Sequence, residues 1–212
     1  MYVGRIVAIG KTPAGKSTAM YRVSSRSFPN REARLKNESV SIMPRKGFED
    51  DLNKNPYIAY NCIRLAGNFA VATNGSHTDP ITEKILSGMN VRDALAYCML
   101  SLDYEKDSFN TPRISAVVEK NSDLGWLAIV RKGAIHVSEF KLEPGTVYYV
   151  ATYEHNVPCS HYADAKFNAA DAESACEYII GKGVFAELEN PVTSAAAVES
   201  DKGFDLAVKT VK

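Results

Sequence analysis

At 212 residues, 45% hydrophobic and 24% charged, the chain can bury one sizeable core, and its composition suggests neither a disordered nor a membrane protein. Its 25 Lys plus Arg balance 25 Asp plus Glu, so no overall field draws in nucleic acid or an anionic membrane. No apolar run reaches the roughly 18–20 residues of a membrane helix, the opening MYVGRIVAIG lacks a signal-peptide layout, and the four cysteines show no CxxC spacing. The expectation is one cytoplasmic domain over residues 1–212 with reduced thiols.

Charge is uneven locally. Residues 1–36 carry eight basic side chains, Arg5, Lys11, Lys16, Arg22, Arg26, Arg31, Arg34 and Lys36, against the single acid Glu32. A basic end of this size suits a small anionic ligand better than a polymer.

In chain order, residues 2–9 and 18–25 read as strands joined by KTPAGK, whose Pro13 and Gly15 supply a turn. Residues 38–43 read as a strand, and 56–73 as two strands, YIAYNCIR and NFAVAT, joined around Gly67. Helices are expected at 81–87, stopped by Gly88, and after Asn90 as N-cap, with Val91, Ala94, Leu95, Cys98 and Leu102 on one face. Strands follow at 113–118, 126–130, 134–140 and 146–153. The run AADAESACEYII predicts a helix capped by Asn168 and stopped by Gly181. A short helix at 194–198 and a strand at 204–208 close the chain. Strand groups separated by helix pairs predict an α+β fold with helices covering packed sheets.

GKTPAGKS at residues 10–17 satisfies the G-x-x-x-x-G-K-[ST] pattern of phosphate-cradling loops. Such a loop must run into a helix whose amides face the phosphates. Here TAMYRVSS has strand character, so the motif reads as a hairpin turn and nucleoside triphosphates are not expected.

YRVSSRSFPNR, residues 21–31, is the densest polar cluster. Arginine forks and serine hydroxyls suit phosphate oxygens, although a charged strand end has the same composition. In PYIAYNCIR, strict alternation puts Tyr57, Ala59, Asn61 and Ile63 on one face and Ile58, Tyr60, Cys62 and Arg64 on the other. Tyr60 can donate to a carbonyl oxygen and Asn61 can read an amide. The loop from Asn74 to Asp79 precedes a helix and suits either an anion or a cap. Asp103, Tyr104 and Glu105 end the long helix, with Asn110 and Arg113 just beyond; a carboxylate beside an arginine is an acid–base candidate when buried and a solvated helix end otherwise. His155, Cys159 and His161 have a metal flavour, but their spacing fits no common zinc site and no metal is expected.

The blocks MYVGRIVAIG, YRVSSRSFPNR, NPYIAYNCIR, NGSHTD, DYEKD, NTPRI and PVTSAAA, in that order, resemble the archaeal inosine monophosphate (IMP) cyclohydrolase family over nearly the whole chain. The resemblance implies a four-layered αββα sandwich similar to N-terminal nucleophile hydrolases. This chain begins Met1-Tyr2, without the terminal Ser, Thr or Cys that acyl transfer in that superfamily uses, so fold and catalytic mode separate. The implied reaction converts 5-formamidoimidazole-4-carboxamide ribotide (FAICAR) into IMP and water, with no cofactor. It further implies that Tyr60 donates to the formyl oxygen, Glu105 manages protons and Arg31 sits near the reacting groups or phosphate. Arg22, Ser24, Ser25, Arg26 and Ser27 would hold the phosphate, and Asn61, Arg64, Asn74, Ser76 and Arg113 would line base and ribose. The expected partner is a purine ribonucleotide; nucleic acid and membrane are not expected, and a homo-oligomer is left open. The competing readings are an amidohydrolase of the same fold and a non-catalytic purine-nucleotide-binding protein.

Overall fold

The computed structural model describes residues 1–211. β1 (Ile6–Lys11) and β2 (Ser17–Ser24) form the expected hairpin. A second hairpin, β3 (Arg31–Leu35) and β4 (Ser39–Pro44), leads through α1 (Asp51–Lys54) and a single 3-10 turn at Pro56–Ile58 into β5 (Tyr60–Ala66) and β6 (Phe69–Thr73). The helices α2 (Thr78–Leu86) and α3 (Val91–Leu102) follow, and the Asn90 side chain caps α3 by accepting from the Arg92 amide. Then come β7 (Arg113–Glu119), β8 (Leu124–Arg131), β9 (Ala134–Lys141), β10 (Val147–Ala151) and the two-residue β11 (Ala163–Asp164). After α4 (Ala172–Gly181), β12 (Pro191–Ser200) and β13 (Gly203–Thr210) end the fold.

The fold is α+β, with two antiparallel sheets. One is a meander, β3-β4-β5-β6-β7-β8-β9, and the other runs β11-β10-β1-β2-β12-β13, so strands from both ends of the chain pair at its centre. Three apolar layers follow from strand alternation. Val7, Ile9, Tyr21 and Val23 meet Tyr60, Cys62, Ile114 and Leu127 between the sheets. Ala8, Met20 and Ala196 pack under Cys176 and Ile179 of α4, and Val71, Val117 and Ala128 pack under Ile81, Leu95 and Met99 of α2 and α3. Helices thus cover both outer faces. No helix among the described residues is long and apolar enough to cross a membrane, and all four cysteines are unpaired thiols.

Four expectations are corrected. Residues 194–198 are not a helix but the middle of β12, paired with β2 on one side and β13 on the other; Ala195 and Ala197 face the other sheet while Ala196 and Val198 face α4. Alanine's helix propensity is overridden because small side chains let this strand be covered on both faces. The cap of α4 is Asp171, not Asn168: its carboxylate accepts from the Ser174 amide in a capping box. Pro56–Ile58 is a 3-10 turn with the Asn55 side chain accepting from the Tyr57 amide, so the strand starts only at Tyr60. Finally, β5 is bulged at Cys62: Val40 pairs with Ile63 and Ser41 with Asn61, leaving Cys62 as the extra residue. The bulge breaks alternation, turning Cys62 and Ile63 both inward and Arg64 outward.

Candidate active site

Five separated segments meet at one end of the sheets and enclose a cleft of about 370 Å³. Tyr2 and Arg5 come from the N-terminus, Ser25 to Phe28 and Arg31 from the loop into β3, Asn55 to Ile58 from the 3-10 turn, Glu105 to Phe109 from the loop after α3, and Tyr153 from beyond β10. The loop after β2 is held by its own polar groups: the Ser25 hydroxyl accepts from the Phe28 amide and Arg31 Nε donates to the Phe28 carbonyl. The loop after α3 turns on Asp107, whose carboxylate accepts from the Phe109 and Thr111 amides.

Glu105 is the unusual group. It is only 2% exposed, and its Oε1 has no hydrogen-bond partner. Arg5 Nη2 lies 3.6 Å from Oε2 and Arg113 Nη1 3.7 Å from Oε1, close enough to attract and too far to donate well. Burial raises the carboxyl pKa from 4.5 to about 7 despite the opposing pull of Arg5 and Arg113. A carboxyl with that affinity both gives and takes a proton near neutrality.

Two buried tyrosines face each other nearby. The Tyr21 and Tyr60 hydroxyls are 2.6 Å apart, with rings edge to face. Burial raises both phenols above their ordinary value, while Arg31 and Arg5 pull Tyr60 back. Tyr60 is 8% exposed and is not among the residues that line the cleft, although its neighbours Arg5 and Arg31 are. Burial works to lower the Arg5 pKa, but Glu105 and the neighbouring tyrosines raise it above its ordinary value, so Arg5 is a fixed cation.

The structure brings Glu105, Arg31, Ser25, Arg26 and Ser27 together at the cleft. Arg26 is solvent-facing, pairs with Glu189 at 2.9 Å and lies 4.3 Å over the Tyr2 ring. Arg22 and Ser24 are elsewhere. The Arg22 guanidinium, fully buried, donates to the carbonyls of Ile179, Ile180, Phe185, Leu188 and Glu189 and to the Ser24 hydroxyl, stapling the end of α4 to β2. Burial lowers its pKa to about 10, and no donor is left for a phosphate. Asn61 and Arg64 sit on the helix-covered face, where both donate to Asp79 of α2 and Arg64 also donates to Glu83. Asn74 is sealed, donating to the Pro112 carbonyl and accepting from the Ile114 amide. Ser76 is exposed and outside the cleft. Arg113 does not line the cleft but stands behind Glu105.

Residues 2–203 match the family described as IMP cyclohydrolase-like protein. The chain belongs to this family. The IMP cyclohydrolase of Methanosphaera stadtmanae is 48% identical over 202 residues, covering 95% of this chain and 96% of that protein. That of Methanocella arvoryzae is 47% identical with 98% of each covered, and that of Methanocaldococcus jannaschii 42% identical with 99% of each covered.

Sequence reasoning did not single out Arg5, Tyr21 or His77 of this family member. Arg5 is one basic residue at the foot of an apolar strand, Tyr21 an inward residue of a hairpin, and His77 one of five polar residues in a loop; the signal that separates them is spatial. His155 accepts from or donates to the Tyr149 hydroxyl at 2.9 Å and stacks on Tyr162 at 4.4 Å, and no metal-holding group of His, Cys, Asp or Glu occurs among the described residues.

Proposed function

We propose that the chain closes the purine ring, converting FAICAR into IMP and water. The observation that carries the reading is Glu105, a buried carboxyl with an unpaired oxygen and near-neutral affinity at a cleft that also presents Arg31 and Arg26. The full-length relationship to archaeal IMP cyclohydrolases supports the same conclusion.

The carboxamide nitrogen adds to the formyl carbon; one proton leaves that nitrogen and one arrives on the formyl oxygen. The resulting hydroxyl then departs with a proton as water while the former formamido nitrogen loses its own, making the ring C=N bond. The amide lone pair is delocalised, so the attack needs alignment, proton removal and stabilisation of the oxygen. In this reading Glu105 takes the first proton and returns it to the departing hydroxyl. Tyr60, braced by Tyr21, gives its proton to the formyl oxygen and regains one from the former formamido nitrogen, and Arg5 and Arg31 hold the local potential positive. Arg26, Ser25 and Ser27 meet the phosphate, and Tyr2, Tyr57 and Phe28 supply ring-sized surface. The steps move protons and no redox equivalents, so this chain's own side chains suffice. Residues 1–212 act as one domain, an interpretation supported by the pairing of β12 with β2, and the helix–sheet–sheet–helix order supports the reading of the fold as one like that of N-terminal nucleophile hydrolases.

The test is ultraviolet absorbance of chelator-treated protein mixed with the formamido ribotide. Conversion to IMP above the uncatalysed rate is expected; tight IMP binding without conversion would overturn the catalytic reading.

A further inference from the structure

We infer that His77 is a positioning residue that holds the Arg113 guanidinium off Glu105, so that no charge-assisted hydrogen bond pins the carboxyl as a carboxylate. The inference rests on the reading of Glu105 as the proton carrier.

His77 lies in the loop between β6 and α2 and is fully buried. Its Nε2 is 3.0 Å from the Ile114 carbonyl. A carbonyl only accepts, so Nε2 carries the hydrogen and Nδ1 is left with its lone pair. Nδ1 faces Arg113 Nη1 at 3.4 Å, and the arginine donates to it. Burial, reinforced by the Arg113 charge, lowers the imidazole pKa to about 3, so the ring stays a neutral acceptor at working pH. A second edge of the guanidinium is fixed by Nε donating to the Asp103 carbonyl at 2.9 Å.

Held on two edges, Nη1 stops 3.7 Å from Glu105 Oε1. Less than about 1 Å of movement would complete a charge-assisted hydrogen bond, which would pin Glu105 as a carboxylate. Gly75 lies against the same groups: a Cβ there would come within 2.7 Å of Arg113 Nη1 and 3.3 Å of Glu105 Oε1. The backbone therefore passes as close as glycine allows, and His77 fixes where that loop stands. The other charged groups facing Glu105 are Arg5 from the N-terminus, Arg31 from β3 and Asp107 from its own loop, none of which bonds to His77.

The experiment is a carboxyl-carbon NMR titration of protein labelled at the glutamate carboxyls, with Glu105 assigned from the signal lost in Glu105→Gln, alongside the pH profile of kcat/KM. His77→Phe removes the acceptor; His77→Gln keeps one acceptor and one donor. In His77→Phe the Glu105 midpoint and the acid limb of the profile should both fall by about one to two pH units, and His77→Gln should return both to within a few tenths. An unmoved midpoint in His77→Phe, or an equal fall in both variants, overturns the inference. Should His77→Phe not fold, ring-nitrogen NMR of the unaltered protein decides: a neutral Nε2–H tautomer with an accepting Nδ1 across pH 5–8 is expected, and a protonated or Nδ1–H ring overturns it. Full turnover by Glu105→Gln would instead sink the proton-carrier reading, while the carboxyl midpoints still report on His77 and Arg113.

Discussion

Replacing Glu105 with Gln should change how stability depends on pH. In the folded protein burial holds this carboxyl at about 7 against an ordinary 4.5, so between those values the folded state binds a proton that the unfolded state has lost. Stability therefore falls as pH rises through this window, because ionising the buried group opposes folding. At about 1.4 kcal/mol per pH unit, the displacement amounts to about 3 kcal/mol. Its full effect is present below pH 4.5 and lost above about 7. Glu105→Gln removes the titrating proton without removing the shape. Urea unfolding of both proteins from pH 4 to 8 should give curves whose difference grows in favour of the variant by about that amount, the contributions of other groups cancelling. Parallel curves would show that Glu105 ionises as an ordinary surface acid does, and would refute the reasoning that makes it a proton carrier.

Tyr60→Phe should lower kcat by about 10²–10³-fold with KM little changed, since the hydroxyl acts on charge that develops during attack; steady-state kinetics retaining full turnover would remove it from the mechanism. Arg22→Met should destabilise the fold by about 3–5 kcal/mol, because five carbonyls lose a buried donor. Chemical denaturation measures this, and an intact fold with a raised KM would restore Arg22 to the phosphate. Arg64→Ala should leave KM unchanged and cost less than about 1 kcal/mol, because its partners Asp79 and Glu83 are both solvent-exposed; a large rise in KM would place the base or ribose against α2.

Much of the fold was legible because its signals are local. KTPAGK supplied a turn and the strand character after it argued against a phosphate loop; the structure shows β1 and β2 paired across it. Asn90 announced α3 through its own cap. The failures share a different origin. PVTSAAAVES has no periodicity that separates helix from strand, because alanine suits both and only the two flanking strands decide. REARL carries too much charge to read as β3, and it survives as a strand at a sheet edge where alternate residues face solvent. The bulge at Cys62 is a property of the β4–β5 register, so no reading of β5 alone could place Arg64 on the outer face. At the site, the 21–31 cluster was visible as composition. Its division was not: side chains four positions apart point into different layers, Arg22 into the end of α4 and Arg26 into the cleft.

Three arginines surround one glutamate, yet the carboxyl holds its proton near neutrality. The reason lies in what each arginine is already doing. Arg31 spends its Nε on the Phe28 carbonyl, Arg113 spends its Nε on Asp103 and leans on His77, and Arg5 lies over Tyr153 at 5.9 Å and stays 3.6 Å from the carboxylate. Each contributes field without a well-formed hydrogen bond, and field at these distances does not offset burial of a 2% exposed carboxyl. A tighter cluster would be more stable and chemically inert, since a bidentate pair holds a carboxylate ionised. The reactivity proposed for this cleft therefore depends on pairing that is deliberately incomplete. It is maintained by backbone carbonyls and a neutral imidazole that occupy the donors Glu105 would otherwise capture.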